Sequence, residues 1–533
     1  MKLRMHVVAR AALAVCAGVA AAGTVRAQVI PRLSGPLQAA SGAAAPASPP
    51  TTYVAPSVAV LVTQTDNSNF GLGGAPQSDT LFEVAPRLFL DSEHARWQVR
   101  ADIGLHGMYY RRGTEPSLVA PDGSVNLHSE LVDHFLFLDA GVLSQQAAIS
   151  PYVGQGGPLQ GPRFTSTQWQ LKPYINRELR PGLRLQAHSE ATWTNVSNVG
   201  AQSGIVGGRY LDQLVRLDQA PLDWGYGLVA EQSYSTYTDQ PYASFRDTTA
   251  RAILNYAVTP QWVVGLIGGR EKAQAYRADA TAAIYGVRTQ WQPDLQHRVQ
   301  ATVEHRFFGT GWGLEATGGT PLLRYTLNWT RGLGSYLAPL SGNASSATNI
   351  SALLDGLLTS RYPSPLQRAQ LVESLLGNSG LPAGLSTAGG YYTSSTVLRN
   401  SAVATVLLLH ERDSYALSLY RSRSEDLFLP GQQVLRLIQT ASSDNVQTGA
   451  AFNYGHRLTP LDTLNVTLQR EIDTGFGLNA GTSARQSSLI LQLNHKFTPG
   501  TIGLIGARRR LLRSTVVGDT AETGVFAGLV HRF

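Results

Sequence analysis

The chain has 533 residues, a formal net charge of +7 and 15% charged residues, against roughly 25% in ordinary soluble proteins. Its mean hydropathy is -0.09 and no internal run of about 18 apolar residues exists, which excludes a bundle of membrane-spanning helices. The single cysteine, Cys16, lies in the N-terminal segment, so a mature chain without that segment has no disulfide and no thiolate metal site.

Residues 1–27 read as a secretory signal peptide. Lys2, Arg4 and Arg10 form the basic end, Ala11 to Ala22 the apolar core, and Val25-Arg26-Ala27 the cleavage site. Leu13-Ala14-Val15-Cys16 has the outline of a lipobox, but Val15 stands where a small residue is wanted. Residues 28–52, rich in Pro, Ala, Ser and Gly, are expected to form a disordered periplasmic lead-in, too short for a folded domain.

From about residue 53 to the end, apolar and polar side chains alternate. Leu323, Tyr325, Leu327 and Trp329 oppose Arg324, Thr326, Asn328 and Thr330; Leu464, Val466 and Leu468 oppose Asn465, Thr467 and Gln469. A period of two means strands with one apolar and one polar face. The expected strands lie near 53–63, 80–91, 95–111, 124–132, 135–146, 163–178, 183–197, 208–219, 224–238, 243–258, 261–277, 281–291, 296–308, 311–319, 322–334, 396–411, 414–425, 442–457, 462–474, 485–497, 500–513 and 522–533. These are 22 strands, an even number that puts both termini on one side of a membrane. The fold class expected is therefore all-β, a single antiparallel transmembrane β-barrel over 53–533. The break at Asp133-His134 and the short strand 311–319 are the two places where the count could fall to 18 or 20.

Connections alternate between tight and long. The tight ones carry turn residues, as in Arg180-Pro181-Gly182, Thr259-Pro260-Gln261, Gln292-Pro293-Asp294, Thr459-Pro460-Leu461 and Thr498-Pro499-Gly500. Short turns belong to the periplasmic side of such barrels and long loops to the outside. The insert 334–395 is the longest interruption. Leu353, Leu354, Leu357 and Leu358 share helical spacing, as do Leu366, Ala369, Val372 and Leu376 after Pro363 and Pro365. Two short helices are expected there, either in a packed surface loop or as a lid or plug over the barrel. Leu353, Leu357, Leu366, Val372 and Leu376 are the candidate plug contacts.

Positive charge is carried almost wholly by arginine, with lysine only at Lys2, Lys172, Lys272 and Lys496. Arg298 and Arg306 share one strand face, Arg421 and Arg423 another, and Arg508 and Arg510 a third. These six are the candidate pore-lining residues. They would sit in ion pairs with acids such as Asp247, Glu231, Glu304 and Glu471, or form a basic track for an acidic polysaccharide or small anions. No nucleophile elbow, metalloprotease helix, phosphate loop or dinucleotide fingerprint stands in a credible context, so no catalytic residue, metal or cofactor is assigned. The histidines are scattered, and a hydrolase at the barrel rim stays open as a minor alternative. Export through a secretion signal speaks against a nucleic-acid partner. The terminal Phe533, with Leu529, Ala527 and Val525 on its face, is the expected signal for barrel-insertion machinery; His531 interrupts that face.

Several segments in order resemble the outer-membrane β-barrel proteins associated with PEP-CTERM/exosortase and exopolysaccharide loci. They are Ser78-Asp79-Thr80 through Val84-Ala85-Pro86-Arg87, Ser129 through Ala140 with Ser144-Gln145-Gln146, His305-Arg306-Phe307-Phe308-Gly309, and Tyr362-Pro363-Ser364-Pro365 with Arg368. The resemblance implies the outer membrane of a Gram-negative bacterium and a link to envelope polysaccharide, as a channel or scaffold for export. A general diffusion porin and a non-conducting structural barrel are the alternatives.

Overall fold

A computed structural model describes residues 51–70, 75–153, 163–197, 205–338 (295 excepted), 350–358, 371–372, 391–430 (394 excepted), 432 and 442–533. The signal peptide, nearly all of the lead-in, and Leu366 and Leu376 of the second expected helix lie outside these residues.

Twenty-two antiparallel strands form one sheet that closes on itself. They are β1 (Thr51–Thr65), β2 (Asp79–Glu93), β3 (Trp97–Tyr110), β4 (Leu118–Val132), β5 (Leu136–Ala148), β6 (Arg163–Arg180), β7 (Leu183–Ser197), β8 (Gly208–Gln219), β9 (Trp224–Tyr237), β10 (Gln240–Thr259) and β11 (Trp262–Ala275). The second half runs β12 (Ala278–Trp291), β13 (Arg298–Arg306), β14 (Gly309–Gly319), β15 (Leu323–Gly334), β16 (Val397–Leu409), β17 (Asp413–Asp426), β18 (Asn445–Arg457), β19 (Asp462–Gly475), β20 (Ser483–Thr498), β21 (Thr501–Ser514) and β22 (Gly518–Arg532). Each strand pairs with its neighbours in sequence. The seam is β1 against β22, from Ser57↔Arg532 to Thr65↔Gly524. Phe533 adds a last bond, its N–H donating to the Pro56 carbonyl at 3.0 Å. The turn at Asp133-His134 and the short β14 are both present. The start that departs furthest from the alternation is that of β4, at Leu118 instead of 124, where Pro121 and Gly123 break the pattern.

The period of two sorts the side chains. Leu266, Val287, Val303, Leu419, Leu468 and Leu489 stand exposed on the outer wall, where a bilayer would cover them. Closure forces the intervening residues into the lumen, and these are polar: Glu190, Asp247, Glu271, Gln447, Glu471 and Glu522 are buried there. Near the short turns the outer wall carries aromatics, among them Trp224, Trp262, Trp291, Phe497 and Phe533, as an interfacial girdle requires. Arg180-Pro181-Gly182 shows how a tight turn is made. Proline cannot extend the ladder, and Gly182 takes φ +79, a conformation a side chain disfavours.

A sheet of 22 strands closes at roughly 40 Å across, too wide for wall side chains to fill. The space is filled partly by the chain's own loops. The helix α1 (Ile350–Leu358) packs Ile350, Leu353, Leu354, Leu357 and Leu358 with Val372 against Leu407, Ala416 and Ala451. Those wall residues alternate with the exposed Val406, Leu408 and Leu417, so the helix lies inside the barrel. Leu407 and Ala416 sit close to the short turn between β16 and β17. The insert thus leaves from the long-loop end and reaches into the opposite half of the lumen, instead of lying as a lid across the mouth.

Candidate functional site: a charged lumen tied by loops

The lumen wall is a set of cross-strand ion pairs. On β2–β4, Arg87 bonds Asp122 at 2.9 Å and Asp102 at 3.3 Å, and Arg100 bonds Asp91 at 2.9 Å. His106 Nδ1 lies 3.1 Å from Glu83. Further round, His128 meets Asp139 at 2.7 Å, Lys172 meets Glu190 at 3.1 Å, and His188 meets Asp212 at 2.9 Å. On β9–β13, Arg251 bridges Glu231 (3.2 Å) and Glu304 (3.3 Å), and Arg306 bridges Asp247 and Glu271, both at 2.7 Å. At the seam, Glu522 is fully buried. Arg508 Nη2 lies 2.7 Å from its Oε1 and Arg510 Nη2 2.5 Å from its Oε2, and the Thr65 hydroxyl donates to Oε1 at 2.8 Å. A carboxylate can be buried this way because charged donors replace the water it has lost.

Of the six arginines expected to line the pore, four face inward: Arg298, Arg306, Arg508 and Arg510. Their registers alternate with the outward Val299, Val303, Arg509 and Leu511. The other two do not. Arg421 and Arg423 share the outer face with the exposed Leu417 and Leu419, while Ser418, Tyr420 and Ser422 point inward. Even the inward four form no continuous basic track, since Arg306, Arg508 and Arg510 are held by Asp247, Glu271 and Glu522. Asp247 is paired as expected, and Glu231 and Glu304 serve Arg251. Glu471 instead accepts from the Tyr420 hydroxyl at 3.0 Å. Sequence reasoning missed Glu522 and Glu271, the buried acids that hold three of these arginines; each shares the alternation phase of its strand's inner face, which is the signal that could have found them.

Three loop segments cross the lumen near its long-loop end. The first comes from the β5–β6 connection. The Tyr152 hydroxyl donates to Asn445 Oδ1 at 3.2 Å, and Ser514 Oγ donates to the Tyr152 carbonyl at 2.7 Å, so the segment reaches β18 and β21. Phe70 from the β1–β2 loop packs with Tyr152, Ala484 and Leu512, under the Arg510 guanidinium.

The second comes from both ends of the insert. Tyr336, Leu337 and Tyr392 pack on Phe164, Ile205 and Tyr237, far around the barrel from β15 and β16. Val206 N–H donates to the Tyr392 hydroxyl at 3.1 Å, and Gln168 Nε2 donates to the Tyr336 carbonyl at 3.4 Å. Burial pushes the phenols of Tyr336 and Tyr392 up to about 12, so they stay neutral hydrogen-bonding groups near pH 7.

The third is the β17–β18 connection. Leu429 packs on Phe245 and Ala273, and Gln432 Nε2 donates to the Tyr276 carbonyl at 2.9 Å. Each crossing joins strands about six to ten positions apart in a ring of 22, so each spans a large part of the bore.

Chemistry elsewhere is sparse among the described residues. Glu130, Asp133 and His134 bring ligand-type atoms within 4.8 Å of one another, but on an exposed hairpin turn where a His134–Glu130 contact of 3.2 Å accounts for the cluster. The lumenal histidines His106, His128 and His188 bond carboxylates, as structural ion pairs do.

The fold and its lumen define a class: large membrane-type β-barrels, with an apolar belt, an aromatic girdle and a polar interior crossed by loops. No protein-family model matches the sequence, and no curated protein matches it. Solved structures similar to it include the siderophore receptor PirA from Acinetobacter baumannii, at 10% identity over 90% of this chain and 80% of that one, TM-score 0.43. The siderophore receptor PiuA from the same organism is similar at 7% identity over 90% and 82%, TM-score 0.44. OpdK from Pseudomonas aeruginosa, solved with vanillate, is similar at 8% identity over 90% and 99%, TM-score 0.34.

Proposed function

We propose that the chain is an outer-membrane channel kept closed by its own loops, and that it serves export of envelope polysaccharide. The observation that carries the channel reading is the set of three cross-lumen ties together with a helix lodged in the lumen. A barrel that served only as a wall would not need a hydrogen-bonded polar bore. A general diffusion porin would not need its mouth tied across at Tyr152, Tyr336, Tyr392 and Gln432. Opening requires the insert to move, and its two ends are placed for that. Ser335 and Ser395 both bond the Tyr237 hydroxyl, at 3.3 and 3.4 Å, so 335–395 leaves and rejoins the wall at one point, as a hinged segment does.

The polysaccharide part of the reading rests on the sequence resemblance and on the chemistry of the bore. A wall of paired charges offers many donors and acceptors with little net field, which suits a hydroxylated polymer better than a stream of small anions. Vesicle swelling with purified protein tests it. With residues 336–394 replaced by a short Gly/Ser linker, neutral and uronic-acid oligosaccharides of equal length should both enter, while the intact chain admits neither. Entry of small anions alone would overturn the polymer reading and leave an anion channel.

A further inference from the structure

The arginines of the outer wall have no role in a pore. Arg270, Arg331, Arg421, Arg470 and Arg509 all face outward, each sharing the phase of exposed apolar residues such as Leu266, Trp329, Leu419, Leu468 and Leu511. Each is the ninth residue of a strand that begins at a short turn: β11 from Trp262, β15 from Leu323, β17 from Asp413, β19 from Asp462 and β21 from Thr501. They therefore lie at one height, toward the long-loop end of the apolar belt. Arg270, Arg421 and Arg470 have no carboxylate partner among the described residues; the outward ion pairs present are Lys272–Asp279, Arg423–Glu425 and Arg513–Asp519.

Four of the five fall on consecutive odd strands, β15 to β21, and the first of them, Arg331, lays its guanidinium over the Phe308 and Trp312 rings. Arg421, Arg470 and Arg509 are spaced about 10–12 Å apart, the distance of two strands with one pleat of stagger. Below them the wall is recessed. A furrow of about 490 Å³ has Arg421 and Arg470 at its edge and Ala402, Ala404, Leu419 and Ala450 in its floor. A second, of about 310 Å³, has Arg470 and Arg509 at its edge and Leu468, Leu489 and Leu511 along it. Arg470 stands between the two. Alanines in place of the larger residues elsewhere on the belt make the recess.

We propose that this β15–β21 face binds a membrane lipid whose headgroup carries more than one phosphate, its acyl chains lying in the two furrows. Guanidinium groups recognise phosphate by paired N–H donors, and an unpaired arginine at the edge of a bilayer needs such an anion. A row of three at one level matches a headgroup with separated phosphates rather than one with a single charge. The occupant belongs to the leaflet at the long-loop end, which in an outer membrane is the outer, glycolipid leaflet. The inference rests on the reading that the barrel spans such a membrane.

Two measurements separate the two ideas. Flotation of the refolded chain with phosphatidylcholine vesicles tests membrane insertion alone; failure to float overturns both. Native mass spectrometry in neutral detergent then tests the lipid, with bisphosphorylated lipid A, chemically dephosphorylated lipid A and phosphatidylglycerol as probes. The bisphosphorylated lipid should be retained at least about tenfold better than either alternative. The triple variant Arg421→Gln, Arg470→Gln, Arg509→Gln should lose that preference, while Arg270→Gln on β11, outside this face, keeps it. Circular dichroism of each variant checks that the barrel has formed. A floating, folded protein that retains dephosphorylated lipid or phosphatidylglycerol equally well, or whose triple variant is unchanged, overturns the proposal.

Discussion

At the scale of single residues, strand phase decides what a charge does. Glu522 and Arg509 lie on adjacent strands within one pleat of each other. Glu522 is buried under Arg508 and Arg510, while Arg509 faces out. Replacing Glu522 with Ala leaves two guanidinium groups in the seam without their shared anion. That should cost about 3–5 kcal/mol of barrel stability, read as a lower denaturant midpoint. Arg421→Leu, by contrast, should leave the midpoint within about 0.5 kcal/mol, as a surface substitution does. Equal effects of the two would show that phase has been misassigned. The same rule explains which pore residues were legible. Arg508 and Arg510 alternate with Leu511 and Ile505, so the apolar face identifies theirs as inward. Arg421 and Arg423 continue the face of Leu417 and Leu419, and that continuity marks them as outward. A shared face alone does not say which side of the wall an arginine takes; the leucines on that face do.

At the scale of elements, the strands and turns followed from local chemistry, whereas the loop paths did not. Alternation and Pro-containing turns specify a strand without reference to anything distant, so all 22 were legible, including the short β14. The ties across the lumen depend on residues far apart in sequence, such as Tyr392 with Val206 and Tyr152 with Ser514. No local period encodes those contacts. The helical spacing of Leu353, Leu354, Leu357 and Leu358 was readable, but its destination was not. Burying that face against Leu407, Ala416 and Ala451 puts the helix deep in the bore. The ties make a specific prediction. Tyr336→Ala with Tyr392→Ala removes the aromatic contacts on Phe164 and Tyr237, each pair worth about 0.5–1.5 kcal/mol beyond its buried area. Antibiotic influx in cells expressing this double variant should rise above that of cells with the unaltered chain. An unchanged influx at equal expression would mean that these contacts do not keep the bore closed.

At the scale of the whole molecule, the seam closes what the other strands only curve. β1 and β22 pair from Ser57 to Thr65, fewer residues than β1 shares with β2. Phe533 extends the seam by its bond to Pro56 and stands exposed on the outer wall, its ring against His531 at 4.6 Å. The expectation that Phe533 serves insertion is tested by its deletion, since an exposed ring on the outer wall adds little to the packed interior. Deleting Phe533 should lower the amount of barrel inserted in membranes several-fold while leaving the denaturant midpoint of the inserted fraction unchanged. A shifted midpoint with normal insertion would assign Phe533 to stability instead.

A channel held shut by its own chain has a direct signature in planar bilayers. Planar-bilayer recording compares the intact protein with the variant in which a Gly/Ser linker replaces residues 336–394. The wall ends at Ser335 and Ser395 already meet at Tyr237, so the linker can close without strain. A closed or flickering intact protein and a large, steady conductance in the variant are the predicted result. A steady conductance of equal size in both forms would contradict the claim and make the barrel an open porin; silence in both would make it a scaffold.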